Sequence, residues 1–203
     1  ADDERVRAMA GACAGKTVFF GSTVFVSEVA HVRAENVEFL EQGSTFDVAG
    51  VGSFFCPLAA RGGLMAVLAA LGVARSLGME LAQLKDAIRS LQPARMRLER
   101  LEHGGMVVWN DCYNSNPEAA MMMLELLGAT PARRRIAVLG EMLELGAWSE
   151  TLHREVGRCA AGCGVDLLVG IRGAAAYLVD AAVAAGMRPE AVRYFDDPAE
   201  AGR

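Results

Sequence analysis

The 203-residue sequence predicts an α/β fold: a Rossmann-like, mostly parallel sheet over residues 93–203, preceded by a smaller α/β segment over residues 1–92. Three observations predict it. From residue 95, short apolar runs alternate with helical stretches, the rhythm of right-handed βαβ crossovers. Before Pro93 the rhythm differs, with short β-rich runs separated by turns and then two helical stretches. The composition, 53% hydrophobic, 22% charged and 6% aromatic, is that of an Ala- and Leu-rich folded chain without a disorder signature.

The elements follow in order. A polar stretch over residues 2–9 reads as helical, and AGACAGKT, residues 10–17, then imitates a phosphate-binding loop. The imitation fails on spacing, because Ala10 stands where the first glycine belongs, and on context. A phosphate loop leaves a strand and opens a helix, whose free N–H groups face the phosphates. Here a strand over 17–20 is expected after the loop, so Lys16 reads as a solvated residue. A strand over 32–40 and a hairpin over 45–49 and 53–57 come next, from their β-rich alternation. Apolar spacing through Leu64, Val67, Leu68 and Leu71 predicts a helix over 62–77. Leu81, Leu84, Ile88 and Leu91 predict another over 80–91, and Pro93 marks the domain boundary. Beyond it, residues 106–109, 136–139, 167–169 and 192–195 are four strand candidates of the parallel sheet. Helices are expected over 117–127, 149–162 and 173–185, and Asp197-Pro198 should start one more.

Charge and cysteine usage narrow the function. A net charge of −5 with no basic run gives no reason to expect a nucleic-acid partner. The most apolar stretch, 64–74, is too short to span a bilayer, so no membrane association is expected. Five scattered cysteines argue for a reducing, cytoplasmic setting, and Cys159 and Cys163 read as small buried residues rather than half of a metal site.

Ligands of doubly wound sheets bind at the carboxyl ends of the strands, so the residues just after each strand carry the functional expectation. After the first candidate comes Asn110-Asp111-Cys112-Tyr113-Asn114-Ser115-Asn116-Pro117. Asn116-Pro117 is explained by helix capping alone; Asp111, Tyr113 and Asn114 clustered at a strand's end are not, and suggest a ligand loop. After the second comes Gly140-Glu141-Met142-Leu143-Glu144-Leu145-Gly146, then Ser149 and His153. Gly140 allows a close backbone approach, Glu144 offers an exposed carboxylate, and His153 reads as a packing or capping residue.

VVWNDCYNSNPEAA, followed by IAVLGEMLELG and SETLH, resembles the carboxyl-terminal domain of the Mur ligases, on its dipeptide-adding branch. Weaker resemblance covers the rest, with residues 1–92 similar to the end of the family's ATP-binding central domain. The resemblance implies a cytoplasmic, monomeric ATP-dependent ligase of peptidoglycan synthesis. It would join D-alanyl-D-alanine to UDP-N-acetylmuramoyl-tripeptide, with ATP and Mg2+ as cofactors, through an acyl phosphate. Carried over by position, Asp111 and Arg97 are the expected ATP-binding residues, at the ribose and the phosphates respectively. Tyr113, Asn114 and Asn116 are expected to line the dipeptide side. The chain departs from the family at Met96, where a glycine is expected before Arg97, and at Ala59, Arg61 and Met65, where adenine contacts are expected. Glu141 replaces an aspartate. The family's phosphate loop, carbamylated lysine, Mg2+ ligands and UDP-binding domain are expected upstream of residue 1, and a Lys-Gly-Ser-Arg motif beyond Arg203. No catalytic or metal residue is therefore expected within the chain, which alone should be inactive. Two alternatives remain open here: another Mur-type ligase, such as a folylpolyglutamate-like one, or a non-catalytic binding module derived from one.

Overall fold

The computed structural model describes residues 2–22, 31–40 and 42–202, which pack into two units, Ala1–Ala94 and Arg95–Arg203. In the first unit, α1 (Glu4–Ala8) is capped by Asp3, whose carboxylate accepts the Arg5 and Val6 amides at 2.8 and 3.2 Å. A 3-10 turn, Met9–Ala12, follows, and irregular backbone leads to β1 (Phe20–Ser22). The AGACAGKT stretch thus leaves a turn and enters a strand, the reverse of a phosphate loop, and Lys16 is exposed. The expected strand over 17–20 starts late, at Phe20. Just before it, the Phe19 carbonyl accepts both the His31 and Val32 amides, which sets where the ladder begins.

β1 pairs parallel with β2 (Val32–Leu40), and β2, β3 (Gly43–Val48) and β4 (Gly52–Cys56) run antiparallel. The Phe46 and Phe54 rings stack 5.4 Å apart across β3 and β4. α2 (Ala60–Ser76) lays its predicted stripe, Leu64, Val67, Leu68 and Leu71, against this sheet, each side chain at most 2% exposed. Burying each contributes roughly 1.5–3 kcal/mol. The helix expected over 80–91 is broken into a 3-10 turn, Leu81–Leu84, and α3 (Lys85–Arg89). Only Leu81 and Ile88 are buried there, so packing anchors the segment at two points rather than along a stripe.

In the second unit, the expectation for residues 106–109 needs correction. They lie in β6 (Met106–Asn110), which pairs antiparallel with β5 (Glu99–His103) in a hairpin rather than in the parallel sheet. Gly104 and Gly105, at φ +57° and +77°, form the two-residue turn, in the left-handed region that matches the strands' own twist. Met106, Val107 and Val108 are 41–59% exposed, unlike residues of a central parallel strand.

The parallel sheet has three strands, β7 (Ile136–Gly140), β8 (Leu167–Ile171) and β9 (Val192–Phe195), in that order. α4 (Pro117–Ala129) precedes β7, and α5 (Ser149–Gly162) and α6 (Ala175–Ala184) form the crossovers. α7 (Pro198–Ala201) starts where Asp197-Pro198 predicted it. Leu124, Val156, Leu168 and Leu178 are the center of this core. Cys159 and Cys163 are only partly buried, with their sulfurs 3.7 Å apart. Burial and the Cys163 contact push the Cys159 thiol up to about 12, so it stays protonated near neutral pH.

Candidate functional site

The linker into the second unit is held in a strained backbone. Met96 and Leu98 sit at φ +58° and +48°, the left-handed region that costs a non-glycine residue about 1–2 kcal/mol. Four hydrogen bonds hold this strap and its anchor in place. One oxygen of Glu99, Oε2, accepts both the Met96 amide and the Asn110 side-chain amide, each at 3.0 Å. Asp111 Oδ1 accepts the Leu98 amide at 2.8 Å, and the Tyr113 amide donates to the Met96 carbonyl at 3.2 Å. Between the two strained residues, the Arg97 guanidinium lies over the Tyr113 ring, 4.3 Å from its center. Both side chains are exposed, so the stack is presented to solvent as a cation on an aromatic platform.

The structure therefore brings Arg97, Asp111 and Tyr113 together and leaves the other two expected residues outside. Asn116 caps α4, its Oδ1 accepting the Ala119 amide at 2.8 Å, a bond worth about 1 kcal/mol to the helix. Asn114 is exposed and joins none of these bonds. Sequence reasoning passed over Glu99. Its signal was Gly104-Gly105 between alternating runs, which marks the hairpin and sets Glu99 opposite Asn110.

The second loop, after β7, is pinned at consecutive residues. The Glu141 amide donates to the Ile171 carbonyl at 3.1 Å, and its carboxylate accepts the Ala174 amide at 3.1 Å, at the start of α6. A negative charge suits that position, where free N–H groups and the helix dipole converge. The Met142 amide donates to His153 Nε2 at 2.9 Å, while His153 Nδ1 lies 2.7 Å from the Ser149 carbonyl. This pattern is satisfied by the neutral imidazole carrying its proton on Nδ1. His153 is fully buried and is the packing residue the sequence suggested. Glu144, at φ +63°, is exposed, as are Leu143 and Trp148 on either side of it. Among the described residues no three His, Cys, Asp or Glu side chains converge to hold a metal, and no helix is long and apolar enough to cross a membrane.

The family described as Mur ligase, glutamate ligase domain, matches residues 96–203. The UDP-N-acetylmuramoyl-tripeptide–D-alanyl-D-alanine ligase of Synechocystis is 31% identical over 153 residues, 75% of this chain and 31% of the relative. The ligase of the same name from Bacillus subtilis is 29% identical over 128 residues, 62% of this chain and 28% of the relative. The chain thus spans about a third of the length of these relatives. Among solved structures, MurF from Acinetobacter baumannii superposes with a TM-score of 0.81 at 24% identity, covering 98% of this chain and 41% of that one. MurF from Thermotoga maritima, solved with ADP, gives 0.74 at 24% identity, covering 98% and 44%. At such identity the likeness is one of fold.

Proposed function

This chain belongs to the Mur ligase family, and on that premise we propose that it is part of a cytoplasmic ATP-dependent ligase of peptidoglycan synthesis. The ligase joins D-alanyl-D-alanine to UDP-N-acetylmuramoyl-tripeptide. Two supports favor this over another Mur-type ligase or a non-catalytic module. The relatives named above carry that activity in their names, and the 153-residue match to the Synechocystis ligase is longer than the span 96–203 that the family matches. In this reading residues 1–92 end the ATP-binding central domain and residues 93–203 form most of the carboxyl-terminal one. The compact units Ala1–Ala94 and Arg95–Arg203 and the family match to residues 96–203 support the division.

The observation that carries the site is the Arg97–Tyr113–Asp111 cluster. ATP, when bound, supplies the phosphoryl group that activates the substrate carboxylate. The described residues fit one edge of such a ligand: an exposed guanidinium held on an aromatic ring, and a carboxylate with one oxygen left over from the Leu98 amide. Arg97 would meet phosphate oxygens through its planar fork. Asp111 Oδ2 would accept from a ribose hydroxyl. Tyr113, Asn114 and Asn116 would line the dipeptide side, with Asn116 also engaged as the α4 cap. For Mg2+ the described residues offer no cluster of three ligands, and the roles of Arg97 and Asp111 follow from their own groups alone.

The two nucleotide residues should act at different points of the reaction. An Asp111 bond to ribose is the same in the ground and transition states, so in the intact ligase Asp111→Asn, which keeps an acceptor oxygen for the Leu98 amide, raises the KM for ATP with little change in kcat. Losing a charged partner of about 1.5–3 kcal/mol corresponds to roughly 10- to 150-fold. Arg97 gains strength as charge develops on the phosphoryl, so Arg97→Ala lowers kcat and Arg97→Lys restores little of it. Steady-state kinetics of the three variants test the assignment, and wild-type turnover in Arg97→Ala removes the phosphate role.

A further inference from the structure

We propose that Glu99 is the positioning residue for Arg97, an inference that rests on the phosphate role proposed above. Arg97 is exposed, and among the described residues its side chain is shown against the Tyr113 ring alone. Its direction comes from the backbone on either side. Met96 and Leu98 both hold left-handed φ values that neither residue type adopts unaided. The Glu99 carboxylate lies within the same turn and takes the Met96 amide, which an ordinary extended entry into β5 would leave to solvent. The same oxygen takes the Asn110 side-chain amide, and Asn110 is the register partner of Glu99 at the open end of the hairpin. One oxygen therefore ties the strained turn to the two-stranded frame. Asp111, next to Asn110, then reaches the Leu98 amide, and the Tyr113 amide reaches the Met96 carbonyl.

The chain of dependence runs from Glu99 to the turn, from the turn to the Arg97 Cα–Cβ direction, and from there to the stack on Tyr113. A guanidinium that must meet a transferring phosphoryl benefits from such preorganisation, because a small misplacement sacrifices the electrostatic gain. The bonds to Glu99 need an acceptor oxygen and not a charge. Gln in its place keeps a carbonyl oxygen at the same reach, whereas Ala removes it and Asp withdraws it by one methylene.

The test is solution NMR of the full 203-residue chain, and it reads the turn directly, without ATP or turnover. In the wild type, the Arg97 side-chain protons carry the ring-current shift of the Tyr113 face, which Tyr113→Leu abolishes. Glu99→Ala is expected to remove that shift and to lower hydrogen-exchange protection of the Leu98 amide about tenfold. Leu98 bonds to Asp111 rather than to Glu99, so it responds only if the whole turn has relaxed. Glu99→Gln restores both signals. The β7–β8–β9 amides stay protected throughout, which separates the effect from general unfolding. If Glu99→Ala does not fold, Glu99→Asp carries the same expectation. An unchanged Arg97 shift and Leu98 protection in a folded Glu99→Ala or Glu99→Asp chain overturns the proposal, as does a failure of Glu99→Gln to restore them. Failure of the ATP reading shows separately, in the kinetics of Arg97→Ala.

Discussion

The left-handed φ of Met96 explains a departure that the sequence could only register: the family resemblance expects glycine at that position, and glycine takes that conformation without a steric penalty. Met96→Gly therefore relieves about 1–2 kcal/mol of backbone strain and gives back roughly 0.5–1 in unfolded-chain entropy. The expected result is a net gain of up to about 1.5 kcal/mol, read from urea unfolding of the chain; a loss of stability would mean that the Met96 side chain does more by packing than its strain costs. A second residue-scale effect depends on pH. Asp47 accepts Asn36 Nδ2 at 2.8 Å and Ser53 Oγ at 2.6 Å, and these bonds hold its carboxyl below the ordinary 3.8. A depressed folded value means stability that is present above 3.8 and lost as pH falls through the lower folded value. The advantage of the wild type over Asp47→Asn in thermal midpoint should thus be level from pH 5 to 7 and shrink below about pH 4. An advantage that persists unchanged to pH 2 would assign it to shape rather than charge.

At the level of elements, α5 carries two glycines with opposite roles. A Cβ on Gly157 would collide with the Leu178 carbonyl oxygen and crowd Ala181 at 3.1 Å, so α5 and α6 approach backbone to backbone at this point. A Cβ on Gly162, at the end of the same helix, meets nothing within 4 Å. Gly157→Ala is expected to cost about 1–3 kcal/mol through overpacking, and Gly162→Ala to add about 0.4–1 by restricting the unfolded chain. Equal effects in chemical denaturation would show that helix propensity, not the α5–α6 approach, governs both. The hairpin β5–β6 shows the same limit of local reasoning in strands. Residues 106–109 are apolar enough for a buried parallel strand, yet the Gly104-Gly105 turn delivers them to β5 instead. A run's hydrophobicity does not tell which neighbor it pairs with; the turn does.

Across the whole chain, the change of rhythm at Pro93 corresponds to the division into Ala1–Ala94 and Arg95–Arg203. Gln92, Ala94 and Arg95 are exposed, so limited proteolysis should cut first between about Leu91 and Arg95. The strap after it is tied down by Glu99 and Asp111 and should resist. A first cut within residues 106–170 would place the flexible joint elsewhere. Arg97, Asp111 and Tyr113 were each named from their place after a strand or from the family pattern, and the structure brings these three together. The roles of Glu99 and Glu141 were not legible, because a carboxylate's role depends on which amide it faces. Those partners, Met96 and Asn110 for one and Ala174 for the other, are fixed by hairpin register and by the packing of α6.

By itself, the sequence determined the α/β class, the α2 stripe, the Asn116-Pro117 helix start, the β7–β8–β9 rhythm and the absence of a phosphate loop at AGACAGKT. Each of these depends on residues near one another in the chain: apolar period, capping side chains and turn glycines act locally. Only the tertiary structure decided that residues 106–110 form a hairpin rather than a parallel strand, that the buried His153 ring takes the Met142 amide, and that Asp111 also holds the linker. It also decided that Arg97 lies on the Tyr113 ring. These depend on which distant groups meet, as with Leu98 and Asp111 or Met142 and His153. A buried or strained group settles into whichever partner the fold brings within about 3 Å, and a linear pattern does not encode that choice.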